Sequence, residues 1–526
     1  MSTKVCVIGA GPSGLVAVKE LLNQNIQVVC YESEDSYGGA FRSIEKGGRS
    51  YDSLELTVSN YFMAYSDFMP DVKEERRFWT VSEYREYLKD YIDHFDLNSH
   101  ICYSHKVLGA DIQEDSVIVE VTHQNRVRKE KFDYLIICTG SNFIPYSPVF
   151  KGQSDFKGEI VHSSEYKNDE KFKDKKVVCI GIGESGADII HEISQSATCK
   201  VLVRDFPNIV PRWSAGYTSD SYTSHSLNSM GKKGVDHFMK FMAWKYLNFG
   251  KNVGSTEKLV QQWIYDRKSF MGKFLTKSDV FLQDIIDGRL EIKRDEIDYL
   301  TENSIITKGG ETIETDVLVL NTGYETKFEY VTQGKDFENP RNLYKHMIHP
   351  KHGLLISLIG WARPTQGGLP ACSEIQARYI ALLLSGNKKL PATKEMHASI
   401  ERDRRFNEKF FSDSVNIKSL VNYHDYMNDM SKLVGCRPKY FNIKELGFSA
   451  KLFFGSHLPA FYRLNDPVYA STAKKTIKFL PTAYSTKRST IMLIILVLNR
   501  PFQQIGRFFT KTFRIGYSKT TTQTMT

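Results

Sequence analysis

"VCVIGAGPSGLVAVKELL", residues 5–22, begins as an apolar run and ends as an amphipathic helix, with three glycines between. Val5, Val7 and Ile8 read as a buried parallel strand, and Leu15, Val18, Leu21 and Leu22 recur at helical spacing. Gly9, Gly11 and Gly14 fill a Gly-x-Gly-x-x-Gly pattern at the junction. The first glycine makes the tight turn, the second lets backbone approach a pyrophosphate, and the third lets helix pack on strand. Pro12 and Ser13 open the helix, whose N-terminal N–H groups favour an anion. Eighteen residues after Gly14, "VVCYE" ends in Glu32, placed to bind a ribose hydroxyl. A lone glycine pattern is weak, but strand, glycines, helix and acid together predict a dinucleotide-binding unit.

The pattern repeats. "KVVCIGIGESGADIIHEI", residues 176–193, gives a strand, then Gly181, Gly183, Ser185 and Gly186, then a helix. Its second strand, "KVLVR", ends in Arg204 where the first unit has Glu32. Arginine suits the 2′-phosphate of NADP, while Asp205 beside it keeps NAD open as the alternative. Glu184, a carboxylate inside a phosphate loop, must point away from the pyrophosphate. Two units imply two nucleotides, and an acid-tipped unit beside an arginine-tipped one pairs most economically as FAD and NADPH. "YLIICTGS" and "DVLVLNTGY" each predict a buried strand ending in Thr-Gly, which adds Thr139, Gly140, Thr322 and Gly323 to the cofactor-binding candidates. The predicted fold class is α/β. Two Rossmann-type domains are expected, the NADPH domain (166–328) inserted between two parts of the FAD domain (1–165 and 329–430), with a basic C-terminal extension (431–526).

Bulk properties agree. A chain of 526 residues exceeds one ordinary core, and 41% hydrophobic with 25% charged residues is globular composition. None of the eight cysteines forms a Cys-x-x-Cys pair, and Cys6, Cys30, Cys138 and Cys179 sit in apolar runs, as core thiols of a reducing compartment do. The short apolar run Val5–Ile8 leads directly into the glycine motif, so a cleaved signal peptide is not expected. From residue 431 onward, 16 Lys and Arg face only Glu445 and Asp466, which suggests an anionic surface as partner of the tail. No nucleic-acid module accompanies that charge, so nucleic acid is not expected. Ile491–Leu498 is eight apolar residues, short of the roughly 20 a spanning helix needs. Beyond it, Phe502, Ile505, Phe509 and Phe513 share a helical face with Arg507, Lys511 and Arg514 off it, which reads as an interfacial helix or as a terminal helix docked on the core.

"FKGEIVHSSEY", residues 156–166, is too polar for a core strand and has no helical period. Its Phe156, Gly158, His162 and Tyr166, set just before the second glycine motif, resemble the identifying signature of flavin-containing monooxygenases. The resemblance runs from about Lys4 to Pro391. "YGGAFR", where the family has Gly-Gly-x-Trp-Arg, adds Gly39 and Phe41 as cofactor-binding residues, and "IGWARPTQGGLPACSEIQARY" adds Gln376. It implies a dimethylaniline monooxygenase-like enzyme in which reduced flavin and O2 form a C4a-hydroperoxide that hands an oxygen atom to the nitrogen of an amine or the sulfur of a sulfide. The stretch 156–166 then reads as the linker between the two nucleotide domains. His162 acquires a positioning role, and no metal is expected.

One departure from the family stands out. Relatives place an asparagine before the "SDF"-type run, near the flavin face. In "LTVSNYFMAYSDF" that position is Thr57, with Asn60 one helical turn later. Asn60 is the favoured catalytic candidate, with Thr57 as its rival and a plain helix cap as the third option. Baeyer–Villiger oxygenation of ketones, an NADPH oxidase and a non-oxygenating flavoprotein scaffold are the alternatives; a disulfide reductase would need a redox cysteine pair that the sequence lacks. The implied location is the cytoplasm or the cytoplasmic face of an intracellular membrane such as the endoplasmic reticulum.

Overall fold

A computed structural model describes residues 3–480 except 43–47, 207, 215, 413, 415, 416 and, within 251–274, all but 254, 258, 259, 261, 262, 264, 269 and 272. Val5 and Val7 point to one side of their strand, and Cys6 and Ile8 to the other. Both sides are apolar because both are covered, as parallel sheets require. The strand Lys4–Ile8 lies at the centre of a five-stranded parallel sheet ordered Ile356–Leu358, Tyr134–Ile137, Lys4–Ile8, Gln27–Tyr31, Ile101–Cys102. On one face pack the helices Pro12–Leu22 and Leu369–Leu384, and on the other the antiparallel strands Lys106–Ile112, Val117–His123 and Arg126–Phe132.

The second sheet repeats this plan. Its parallel order is Glu159–His162, Val317–Leu320, Lys176–Ile180, Thr198–Val203, Leu290–Arg294. The helices Glu184–Ser196 and Phe281–Ile286 cover one face, and the strands Ile297–Leu300, Ser304–Thr307 and Thr312–Glu314 the other. All five of its strands fall between Ile137 and Ile356 of the first sheet, so the second nucleotide unit is an insertion in the first.

One expectation needs correction. Within 156–166, Glu159–His162 is not a bare linker but an edge strand of the second sheet, paired only with Val317–Leu320. An edge position tolerates the polarity that argued against a strand: Glu159 stays exposed while Val161 and His162 are buried. Between the strands Thr198–Val203 and Leu290–Arg294 lie the helices His225–Ser229 and Gly231–Phe249 and a two-stranded parallel ladder, Asn208–Val210 with Leu275–Lys277, whose three-residue strands carry no period in the sequence.

The helices Tyr423–Val434, Leu446–Phe454 and Ala470–Phe479 add Met427, Met430, Leu452 and Ile477 to the first core. The apolar run Ile491–Leu498 and the basic amphipathic stretch Phe502–Arg514 lie outside the described residues. Among the described residues no helix is long and apolar enough to cross a membrane. All eight cysteines are free thiols.

Candidate active site

The first loop is built from close backbone approaches. Gly9 has φ +100°, and a Cβ there would stand 2.9 Å from Cys138 O; a Cβ on Gly14 would stand 1.8 Å from Gly9 O. Neither position admits a side chain. Gly11 faces Gly39, whose Cβ would come within 3.1 Å of Gly11 Cα, so two bare backbones flank the mouth of the loop. That cradle fits the pyrophosphate of FAD. Pro12 begins the helix with Gly11 as its N-cap. Glu32 is held by three donors: Oε2 accepts from Ala10 N at 2.6 Å, and Oε1 from Glu34 N at 3.0 Å and Ser33 Oγ at 3.2 Å.

Other expected contacts are less direct. Ser13 Oγ lies 2.9 Å from Ser373 Oγ, and Phe41 sets its ring edge-on to Tyr84. Gln376 is fully buried; its Oε1 accepts from Gly360 N at 3.1 Å, and its Nε2 donates to Tyr426 Oη at 2.8 Å and Lys345 O at 3.4 Å. With both ends of the amide spent inside the protein, Gln376 holds the Gly360 turn and reaches a cofactor only through it. Thr139 and Gly140 close the neighbouring strand, Gly140 at φ +83°.

In the second loop a Cβ on Gly181 would stand 2.8 Å from Asn321 O, whereas one on Gly183 would meet nothing within 4 Å. The Asn321 side chain lies beside Gly186, and its Oδ1 and Nδ2 are buried with no protein partner. Buried polar groups are almost always satisfied, so an orphaned amide beside a phosphate loop fits a nucleotide ligand. Ser185 is exposed at the start of the helix. Arg204 projects from the end of its strand, and Arg294 ends the next one, its Nε donating to Arg204 O at 3.1 Å. Sequence reasoning missed Arg294 because "LEIKR" carries no motif; strand pairing alone brings it to Arg204.

Glu184 Oε2 lies 3.9 Å from Arg363 Nη2, on the segment that follows the strand Ile356–Leu358 of the first sheet. At the joint between the halves, Gly323 O accepts from His162 Nε2 at 3.0 Å and from Tyr146 N at 2.9 Å, and the Thr322 hydroxyl donates to Tyr146 O. Ser164 N donates to His162 Nδ1 at 3.1 Å. Burial lowers the His162 pKa, so the ring stays neutral with its proton on Nε2. Both nitrogens are thus used in tying the joint.

The catalytic expectation is where the structure departs most. Asn60 is fully buried, and its Nδ2 donates to Glu74 Oε1 and to Glu75 O, each at 3.0 Å. Its Oδ1 accepts from Tyr61 N at 3.0 Å and Arg77 N at 3.3 Å. No donor remains for a reacting oxygen: Asn60 clamps the 74–77 loop. Thr57 differs. It lies in the strand Glu55–Ser59, whose pairing with Phe78–Thr80 slips between Glu55 and Ser59, and such a bulge re-aims side chains. Thr57 is half-buried, and its hydroxyl has no protein partner among the described residues. Its carbonyl leaves the ladder and accepts from Lys277 Nζ at 2.8 Å.

Around this bulge lies a buried charge set. Arg76 Nη2 donates to Asp220 Oδ1 at 3.0 Å, its Nη1 to Ser456 Oγ at 2.7 Å and its Nε to Ser59 Oγ at 3.2 Å. Asp220 also accepts from Ser59 N and Thr218 Oγ1, each at 2.7 Å. Burial raises the Asp220 pKa, but Arg76 and then Lys277 outweigh it and hold the carboxyl below its ordinary range. Away from this site Asp336, His349 and His352 gather their ligand atoms within 4.8 Å, a grouping no sequence spacing announced; His352 Nε2 is already 2.7 Å from Asp336 Oδ2.

A model of the flavin-binding monooxygenase-like family matches residues 2–513. The chain is 36% identical over 478 residues to a 4-hydroxybenzoate brominase (decarboxylating) of Marinomonas mediterranea, covering 89% of this chain and 90% of that protein. It is 30% identical over 508 residues to flavin-containing monooxygenase 5 of Rattus norvegicus, covering 90% and 91%. The solved structure of S-allyl-L-cysteine S-oxygenase from Allium sativum superimposes with a TM-score of 0.62 at 18% identity, covering 91% of this chain and 99% of that one, a likeness of fold.

Proposed function

The chain belongs to the flavin-binding monooxygenase-like family, and on that premise we propose that it inserts one oxygen atom of O2 into a soft nucleophile, an amine nitrogen or a sulfide sulfur. It is an FAD- and NADPH-dependent monooxygenase, and its substrates are O2 and a small molecule. Bound FAD, reduced by NADPH, activates O2. The residues do the rest. Gly9, Gly11, Gly14 and Glu32 hold the flavin nucleotide, Gly181, Gly183 and Gly186 hold NADPH, and Arg204 with Arg294 receives its 2′-phosphate. Thr57 donates its hydroxyl to charge developing on the reacting oxygen, beside the strand Leu275–Lys277. The observation that carries this reading is that the second glycine-loop sheet is inserted between Ile137 and Ile356 of the first and meets it where Glu184 Oε2 lies 3.9 Å from Arg363 Nη2.

A second reading comes from the 36% identity to a brominase of 4-hydroxybenzoate: the acceptor is an aromatic acid rather than an amine or sulfide. One experiment decides among them. NADPH oxidation under ¹⁸O2 is followed with amines, sulfides, ketones and 4-hydroxybenzoate with and without bromide, and product masses are measured. Labelled N- or S-oxides support the first reading, and ring products of the acid the second. Esters would assign Baeyer–Villiger chemistry, and quantitative hydrogen peroxide with every class would leave an oxidase. We also propose a membrane surface as partner of the basic tail; vesicle flotation unchanged by deleting residues from Ser489 onward would remove it.

A further inference from the structure

Lys277 is 8% exposed, and within the described residues its ammonium makes one hydrogen bond, to the neutral carbonyl of Thr57. Among the described residues no carboxylate lies within ion-pair distance of it. Asp220 lies in its field, but that charge is already taken by Arg76 at 3.0 Å and by donors from Ser59 and Thr218. Among the described residues Arg76 and Lys277 are thus two cations facing one carboxylate, a surplus of positive charge beside Thr57. A buried ammonium with two unused N–H donors is unfavourable unless an anion completes it. Thr57, whose carbonyl Lys277 holds, is half-buried and has a hydroxyl without a partner among the described residues, a second group there available to a ligand.

We propose that Lys277 binds the carboxylate of an organic-acid substrate and so selects anionic acceptors for the oxygenating site at Thr57. This rests on the monooxygenase reading of that site and extends it to a substrate class. The cation sits on the short strand Leu275–Lys277, which the inserted half lays over the bulge of the flavin half, so substrate charge would be sensed where the two halves meet.

The test needs no turnover, so it fails or succeeds independently of the oxygenation reading. Oxidised, FAD-loaded enzyme is titrated with 4-hydroxybenzoate, with benzoate and indole-3-acetate as further acids, and with neutral 4-hydroxybenzamide, sodium bromide and NADP⁺. Calorimetry and the flavin absorbance report binding. Wild type should bind at least one of the acids, and prefer it to its amide by tenfold or more. Lys277→Met should weaken that acid at least tenfold while NADP⁺ and the amide stay within twofold, and Lys277→Arg should restore most of it. Binding of none of the acids, or no preference of acid over amide in wild type, overturns the proposal even if Lys277→Met does not fold. Equal losses for the acid and NADP⁺ would reassign Lys277 to the coenzyme. Bromide competing while the acids do not would make it a halide site and equally overturn it.

Discussion

The amide nitrogen of Asn60, itself fully buried, donates to Glu74 Oε1 at 3.0 Å, a carboxylate at the edge of the core. An amide so engaged serves folding, and its loss should register there. Asn60→Ala should cost about 1–3 kcal/mol of stability for each buried partner left unsatisfied, seen as a lower melting temperature. Its hydrogen peroxide yield per NADPH should match wild type in the folded, flavin-loaded fraction. Thr57→Val keeps the shape and removes the hydroxyl. It should leave the melting temperature nearly unchanged and lower product yield roughly ten- to a hundredfold, the scale of a hydrogen bond to a charged group. The reverse assignment of effects would return the catalytic role to Asn60.

The two nucleotide units were legible because their signals are local. Val5 and Val7 against Cys6 and Ile8, the glycines and the tip residues Glu32 and Arg204 are all set within one βαβ unit. Lys277 was not legible: one lysine in a three-residue strand gains meaning only when the strand Leu275–Lys277 is laid beside the bulge at Thr57. Asn60 and Thr57 lie three residues apart, and sequence offers no way to see that one amide faces the 74–77 loop while the other side chain is turned out by a bulge. The polar strand Glu159–His162 was disguised by its edge position, where only one side needs pairing.

Arg204 and Arg294 end adjacent strands of the second sheet and present two cations where a 2′-phosphate would lie. Arg204→Ala should raise the NADPH Michaelis constant about ten- to a hundredfold, the loss of a charge-assisted contact worth roughly 1.5–3 kcal/mol. NADH kinetics should barely change. The double variant with Arg294→Ala should bring the two coenzymes close to parity. Steady-state kinetics with both coenzymes provide the check, and a parallel loss with NADH would mean damage to the fold instead.

Three histidines, His346 and His457 buried and His225 half-buried, give the fold an acid-sensitive window. Burial lowers His346 to about 4; burial, then His424, lowers His225 to about 4; and burial carries His457 well below its ordinary value. Unfolded histidine titrates near 6.5. Between about pH 6.5 and 4 the unfolded chain therefore binds more protons than the folded one, so stability falls as pH falls through that window, at most about 1.4 kcal/mol per pH unit for each group. Glu20, held at about 2 because Arg463 and Lys19 outweigh its burial, keeps its contribution down to its ordinary value of 4.5 and loses it below, while Asp67 and Asp188, raised by burial, act in the opposite sense. Urea midpoints at pH 7.5, 6.5 and 5.5 should decline in that order, and His346→Gln should flatten the slope. A flat profile in wild type would show that these rings are not held neutral.

Arg463 joins the chain's C-terminal part to the flavin core. Its Nη2 lies 2.8 Å from each of Glu20 Oε1, Asp67 Oδ2 and Glu374 Oε1, and its Nε donates to Ser66 Oγ at 2.8 Å. Lys19 is the second cation, bound to Glu20 at 3.0 Å and to Asp67. Three buried carboxylates around two cations tolerate no loss of positive charge. Arg463→Met should cost about 3–5 kcal/mol, as removing one partner of a buried pair does. Removing a carboxylate as well should relieve part of that cost, so Arg463→Met with Glu374→Gln should be more stable than the sum of the single effects requires. Limited proteolysis adds a local readout: Arg463→Met should expose the stretch around the helices Leu446–Phe454 and Ala470–Phe479 to cleavage before the sheets open. Strictly additive melting shifts in the double variant would mean that Arg463 acts by packing rather than by charge.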